Sequence, residues 1–145
     1  MADATTSSIS IDAPPDRVMA VIADFGSYPE WTDQITAAEI LDPGDGARAK
    51  QVRFTMDAGA IKDTYTLDYT WAADDRSVSW TLVKGGIQKA QDGAYTLESD
   101  GSGTVVTYEL SVEVNIPMIG MLRRKAEKMI IDAALKGLKR RVERG

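Results

Sequence analysis

Near its N-terminus the chain reads SISIDAPP, residues 8–15, in which isoleucine alternates with polar residues until two prolines follow. Alternation of this kind is typical of a strand with one buried face, and we expect a first strand over residues 5–11. Proline fits the first turn of a helix because the N–H group it lacks would have no partner there. The spacing of Val18, Val21 and Ile22 then predicts a helix directly after the strand.

A short aromatic turn and a long series of strands follow this helix. The sequence YPEW, residues 28–31, predicts a brief helical turn, since Gly26 and Pro29 end the preceding helix. Beyond it, apolar and polar residues alternate between closely spaced turns, and the clearest alternation runs from Ile61 to Trp71. Strands joined so directly predict an antiparallel meander with one wet and one apolar face.

The apolar face of such a sheet needs a cover, and the C-terminal segment is the longest candidate. Residues 117–142 are amphipathic, and Pro117 suits the start of a helix. Many residues on the apolar side of this helix are small, whereas the facing strands carry large aromatic residues. Two arrangements stay open: a core filled by interdigitating rings, or unfilled volume that holds a ligand. On a helical wheel the apolar side contains Ile119, Leu122, Ala126, Met129, Ile130, Ala133 and Gly137.

The composition excludes several kinds of chemistry. The 145 residues contain neither cysteine nor histidine, which removes disulfides, thiol nucleophiles, Ser-His-Asp triads and the usual zinc and iron sites. Oxygen-only sites for Mg²⁺ or Ca²⁺ stay possible on this ground, but we expect no metal and no cofactor. The N-terminus has no basic and apolar leader, and no apolar run is long enough to span a bilayer. These features predict a cytoplasmic protein without a transmembrane segment.

The charge distribution bears on possible partners. A net charge of −5 argues against nucleic-acid binding. Residues 123–144, however, carry nine basic and three acidic side chains, a net charge of +6. This basic segment is either a solvated helix face or a surface that makes weak contact with anionic lipid or an acidic partner. Whether the protein is a monomer or a homodimer stays open.

Several local motifs carry a family resemblance that covers essentially the whole chain. The run ISIDAP at residues 9–14, followed by Val18, Ile22, Asp24 and YPEW, resembles the N-terminal signature of the polyketide cyclase/dehydrase and lipid-transport superfamily, the START-like and Bet v 1-like (SRPBCC) proteins. The later motifs are similar to the last hairpin and closing helix of that superfamily. These are GAYTL at 93–97, GTVVTY at 103–108 and PMIG at 117–120. The chain looks especially like the small stand-alone members of mycobacteria and related actinobacteria.

The resemblance implies an α+β helix-grip fold in a single domain, residues 1–145. A curved antiparallel sheet of about seven strands wraps the long C-terminal helix, and two short helices follow the first strand. Members enclose a deep cavity between the sheet and that helix, in which they bind lipids, sterols, polyketides and similar compounds. Some members cyclise or dehydrate polyketide chains, and many only carry or sense a ligand.

Our leading hypothesis is that the protein binds or transports a hydrophobic small molecule, such as a lipid or polyketide, without acting as an enzyme. The first alternative is a cyclase or dehydratase that uses a cavity aspartate or tyrosine, for which Asp63 is a weak catalytic candidate. The second is an interaction module that docks through its basic C-terminal helix. The expected ligand contacts are Trp31, Phe54, Met56, Tyr65, Leu67, Tyr69, Trp80, Leu82, Tyr95, Tyr108, Leu110, Val112, Met129 and Ala133.

Overall fold

The structure is a computed structural model that describes residues 4–45, 48–59 and 62–144. The described residues form seven strands and three α-helices, and a 3-10 turn at Phe25–Ser27 joins the first two helices. In chain order the elements are β1 (Thr5–Ile11), α1 (Pro15–Ala23), α2 (Tyr28–Trp31), β2 (Ile35–Asp42), β3 (Gln51–Asp57), β4 (Lys62–Trp71), β5 (Ser77–Gly85), β6 (Gln88–Ser99), β7 (Thr104–Val114) and α3 (Gly120–Arg144).

The strands form one antiparallel sheet in the order β1-β7-β6-β5-β4-β3-β2. Strands β2 to β7 therefore follow one another as a meander, and β1 closes the far edge beside β7. This sheet, the long C-terminal helix and the short helices after β1 confirm the expected α+β helix-grip architecture. The aromatic residues of β3 to β7 point to one face of the sheet because successive side chains of a strand alternate between faces.

The element boundaries differ from expectation mainly at helix ends. The first strand covers the expected residues 5–11. Helix α1 begins at Pro15 and ends at Ala23, while α3 begins at Gly120 rather than at Pro117. Ile61, with which we expected the clearest alternation to begin, lies outside the described residues.

The long helix is turned by one residue relative to the expected face. Met129 is 47% exposed and Ala133 is half-buried, whereas Ile130 and Ala134 are buried. The expected position of Met129 and Ala133 against the sheet is therefore wrong. The buried side of the helix instead carries Glu127, which is 0% exposed, together with the buried Ile131, Leu135 and Leu138.

Glu127 fastens α3 to two strands. One carboxylate oxygen accepts a hydrogen bond from the Thr5 hydroxyl of β1 at 2.6 Å, and the other accepts from the Val112 N–H of β7 at 2.7 Å. Buried backbone donors need an acceptor. A helical wheel that sorts residues by apolarity places a carboxylate outside, so it could not find this contact.

Candidate functional site

A cavity of about 50 Å³ lies between α2, the aromatic face of the sheet and α3. Helix α2 reaches it because the backbone of Trp31 lies directly against α3 at Gly137. A Cβ atom at that glycine would lie 1.9 Å from the Trp31 carbonyl oxygen. The cavity is lined by Tyr28, Trp31, Thr32, Gln34, Ile35, Phe54, Met56, Tyr65, Leu67, Tyr69, Trp80, Gln88, Gln91, Tyr95, Tyr108, Leu110, Val112, Ile130 and Ala134.

Most of the residues expected to contact a ligand come together around this cavity. Those that line it are Trp31, Phe54, Met56, Tyr65, Leu67, Tyr69, Trp80, Tyr95, Tyr108, Leu110 and Val112. Leu82, Met129 and Ala133 do not. Leu82 packs against the edge of the core, and the other two lie on the wrong side of the turned helix.

Sequence reasoning missed the amides of the lining. Gln91 could have been found by extending the inward alternation of Leu97 and Tyr95 back along β6. Gln88 could not, because the pairing of β6 with β7 shifts between Gln88 and Ala90. Such an irregularity changes the face on which later residues lie, and alternation does not reveal it.

Aromatic rings form a continuous wall around the cavity. The ring centroids of Tyr95 and Tyr108 are 4.5 Å apart, and those of Trp80 and Tyr95 are 5.5 Å apart. On the α2 side, the ring centroids of Tyr28 and Trp31 are 4.7 Å apart. These spacings are typical of favourable aromatic pairs. Both expected arrangements are thus combined: the rings interdigitate over most of the sheet face and leave a small unfilled volume.

The tyrosines of the wall are held in their neutral form. Burial raises the pKa of Tyr65, Tyr69 and Tyr95 well above the ordinary value of about 10, and neighbouring tyrosines raise it further. Burial alone raises the pKa of Tyr108. An ionised phenolate would lose its hydration in this setting. At neutral pH the phenols can therefore donate or accept hydrogen bonds, but they are poor bases.

A chain of hydrogen bonds crosses the wall from β5 to the start of β6. The indole N–H of Trp80 donates to Gln91 Oε1 at 3.0 Å, and Gln91 Nε2 donates to Gln88 Oε1 at 2.6 Å. Gln88 Nε2 is buried and has no partner among the described residues. We call such a group a spare donor. Gln88 is 2% exposed.

Two more buried polar atoms of the lining lack partners within the described part of the chain. These are Trp31 Nε1, a second spare donor, and Gln34 Oε1, an acceptor. A polar atom left unpaired in an apolar interior is unfavourable unless water or a ligand reaches it. Three unpaired atoms around one cavity therefore mark it as a place where polar groups of another molecule can bind.

Asp63, the candidate for a catalytic cavity aspartate, is not among the residues that line the cavity. Its Oδ1 accepts hydrogen bonds from the N–H groups of Gly86 at 2.9 Å and Ile87 at 3.1 Å, and its Oδ2 accepts from Gln88 N at 3.0 Å. The carboxylate therefore closes the turn between β5 and β6. Gly86 permits this approach, since a Cβ there would lie 2.5 Å from Asp63 Oδ1.

The lining is uncharged. All of its residues in the described ranges carry aromatic, aliphatic, thioether, hydroxyl or amide side chains. Glu39 lies outside the lining, is exposed and pairs with Arg53. The site can thus surround an apolar molecule and offer it neutral hydrogen bonds.

Comparison with known proteins gives a family match over nearly the whole chain. The model of the polyketide cyclase/dehydrase and lipid transport family matches residues 2–143. No curated protein matches the sequence at a significant level. Within the described residues, no helix has both the length and the apolarity needed to cross a membrane.

Several solved structures share the fold. A START superfamily protein from Mycobacterium smegmatis has a TM-score of 0.90 at 21% identity, with 99% of each chain covered. A Thermus thermophilus protein has a TM-score of 0.82 at 25% identity, with 96% of each chain covered. The Zhui aromatase/cyclase of a Streptomyces species has a TM-score of 0.75 at 17% identity, over 97% of this chain and 93% of the other.

Proposed function

The chain belongs to the polyketide cyclase/dehydrase and lipid transport family, and we propose on that premise that it binds a hydrophobic small molecule between the sheet and α3 without transforming it. One observation carries the proposal: an uncharged, ring-lined cavity with spare hydrogen-bonding atoms. Removing apolar ligand surface from water supplies the affinity, at roughly 25 cal/mol per Å² before the costs of association.

Binding requires movement of the lining. A volume of about 50 Å³ is well below the roughly 300–1,000 Å³ of typical ligand pockets. Met56 is suited to yield because its unbranched chain adopts several shapes at little cost. The structure therefore corresponds to a contracted state, which a ligand opens as it displaces side chains.

Binding is favoured over catalysis because the described lining residues include no group suited to transfer a proton near neutral pH. The described lining residues include no carboxylate, lysine or arginine, and Asp63 is occupied with the backbone of the turn after β5. The tyrosines are neutral at physiological pH, and burial moves their pKa still further above it. Proton transfer to or from a ligand needs a group whose pKa lies near the working pH.

The proposal is tested by native mass spectrometry of the purified protein, followed by organic extraction of any bound compound. The matched variants are Ala134→Leu and Ala133→Leu. The first adds three carbons to a residue that lines the cavity, and the second adds the same carbons to a half-buried neighbour outside it. We expect a bound apolar compound in the wild type and in Ala133→Leu, with its loss in Ala134→Leu. Equal ligand loading of both variants, or an empty wild type that takes up no apolar probe, would contradict the proposal.

A second candidate function is docking on an anionic membrane surface through the start of α3. Met121 is 75% exposed, and Ile119 and Leu122 are also exposed. These apolar side chains lie beside the exposed Arg124 and Lys125. Apolar residues next to cations are typical of segments that lie in the interface of an anionic bilayer.

Co-sedimentation with vesicles tests this docking. We expect binding to phosphatidylglycerol vesicles that weakens with salt, and little binding to phosphatidylcholine vesicles. The double variant Arg124→Glu, Lys125→Glu should lose it, whereas Arg140→Glu, Arg144→Glu changes the same charge at the other end of the helix and should retain most of it. Equal loss in both double variants would point to general charge attraction instead of docking at this end.

A further inference from the structure

We propose that the ligand carries an uncharged hydrogen-bond acceptor, such as a ketone or ester carbonyl, and that Gln88 Nε2 binds this oxygen. The inference rests on the proposed function and adds the chemical class of the ligand. Its basis is the spare donor of Gln88, a residue that is 2% exposed and lines the cavity.

The orientation of the two amides follows from the chemistry of Trp80. An indole N–H can only donate, so Gln91 must present its oxygen to Trp80, as it does at 3.0 Å. Gln91 then has its Nε2 directed to Gln88, which must present an oxygen in turn. The Nε2 of Gln88 is therefore the free end of the chain. Rotating either amide would set two donors or two acceptors against each other.

The free end needs an acceptor, and the aromatic wall does not supply one to it within the described residues. A carbonyl oxygen is the simplest acceptor that an otherwise apolar molecule can bring. Trp31 Nε1, the second spare donor of the lining, also favours a ligand with acceptor oxygens over one that only donates.

The acceptor should be uncharged. A carboxylate or phosphate would lose its hydration in this cavity, and the described lining offers no lysine or arginine to compensate it. Burying an unpaired charge is far less favourable than burying a carbonyl that receives a hydrogen bond. Free fatty acids are therefore expected to bind poorly, whereas ketones and esters of similar shape should bind well.

The position of Gln88 is fixed before the ligand arrives. Asp63 Oδ2 accepts a hydrogen bond from the main-chain N–H of Gln88 at 3.0 Å, and Gln91 holds its side-chain oxygen. The main-chain N–H and the side-chain oxygen of this lining residue are thus both held, while its Nε2 has no partner among the described residues. Preorganised donors lose little freedom on binding, which increases their contribution to affinity.

Three naphthalene probes separate the contributions of apolar surface, a neutral acceptor and a negative charge to binding. 2-Ethylnaphthalene has no acceptor, 2-acetylnaphthalene has a neutral carbonyl, and 2-naphthoate has a charged carboxylate on the same ring system. We expect the ketone to bind about tenfold more tightly than the ethyl compound, as one hydrogen bond allows, and more tightly than the carboxylate. Apolarity alone predicts the reverse order for the first two, since the ethyl compound is the more hydrophobic.

Gln88→Met tests the residue because methionine keeps the length and removes the donor. Calorimetric titration should give about tenfold weaker ketone binding, with ethyl binding unchanged. Gln51→Met is the matched control, the same substitution at a half-buried glutamine of β3 that does not line the cavity; it should keep the ketone preference. The carbon-13 shift of a labelled ketone carbonyl bound to wild type gives a readout that needs no variant, and it should match a hydrogen-bonded carbonyl.

Each outcome decides between the two proposals. Equal binding of ketone and ethyl probes, a preference that survives in Gln88→Met, or a bound carbonyl with the shift of an apolar solvent overturns the role of Gln88 and leaves hydrophobic binding intact. Failure of every neutral probe to bind the wild type overturns hydrophobic binding itself, and this inference with it.

Discussion

The buried carboxylate of Glu127 and the carboxylate of Asp63 differ sharply from the polar groups of the cavity beside them. Glu127 joins α3 to β1 and β7, and Asp63 holds three N–H groups of the turn after β5. Gln88 and Trp31, in contrast, each keep a donor without a partner among the described residues. The comparison shows that the two carboxylates stabilise the fold through hydrogen bonds, whereas the cavity is distinguished by neutral hydrogen-bonding groups that have no partner among the described residues.

The largest expected effect on stability comes from high pH, which would deprotonate the tyrosines of the cavity wall and place negative charge where the lining is now neutral. Burial raises the folded-state pKa of the tyrosines above the ordinary value of about 10. The stabilisation from a raised pKa is complete below the unfolded value and is lost as pH rises through the folded value. We expect one cooperative loss of structure above pH 10, with tyrosinate absorbance and circular dichroism changing together. Phenols that titrate near 10 while the fold persists would contradict this.

Removing the buried carboxylate of Glu127 should have the next largest effect. Glu127→Leu leaves the Val112 N–H and the Thr5 hydroxyl without their buried acceptor. We expect a loss of about 3–5 kcal/mol in the free energy of unfolding, measured with urea. Glu98→Leu, on the exposed side of β6, is the control and should change it by less than about 1 kcal/mol. A similar small change in Glu127→Leu would show that the contact contributes little.

The cavity can also be disturbed without changing any polar side chain. Gly137→Ala places a Cβ against the Trp31 carbonyl oxygen and must push α2 away from α3. We expect a loss of about 2–3 kcal/mol from this overpacking, although alanine by itself favours a helix by about 1 kcal/mol. Gly120→Ala is the control because a Cβ there meets no atom within 4 Å. A stabilised Gly137→Ala protein would mean that α2 moves aside freely.

Asp63→Asn weakens the hydrogen bonds that hold the turn between β5 and β6, next to the unpaired donor of Gln88. The amide keeps one acceptor oxygen, so some of the N–H groups of Gly86, Ile87 and Gln88 lose their partner. We expect a loss of about 1–2 kcal/mol in stability, together with weaker binding of 2-acetylnaphthalene because Gln88 is less firmly held. Asp92→Asn, on an exposed part of β6, should change neither. Unchanged ketone affinity in a destabilised Asp63→Asn would show that the turn does not position Gln88.

The smallest expected effect on stability belongs to Gln88→Met. This change removes a spare donor, which favours the fold, and one acceptor used by Gln91, which disfavours it. We expect the two to offset each other within about 1 kcal/mol, measured by urea unfolding beside Glu127→Leu. A loss as large as that of Glu127→Leu would mean that the amide chain serves the fold after all.

Much of the architecture follows from local patterns. Alternation located β1 at residues 5–11 and placed Tyr65, Leu67 and Tyr69 on one face of β4. The helix was harder, because Ile119, Leu122 and Met129 are apolar yet exposed, while Glu127 is charged yet buried. A helical wheel ranks side chains by apolarity and cannot include an acceptor that a distant strand requires.

The sequence by itself determined the strands, the turns, the apolar rows and the absence of cysteine and histidine chemistry, because these depend on residue type and short-range spacing. Only the tertiary structure decided which polar atoms are satisfied. Asp63 and Gln88 meet because β4 and the turn before β6 come together, although they are 25 residues apart in the chain. The free end at Gln88 also depends on a shift in β6 pairing and on the indole of Trp80. Hydrogen bonding is short-ranged and directional, so the partners of each polar atom are fixed only when the strands have their final register.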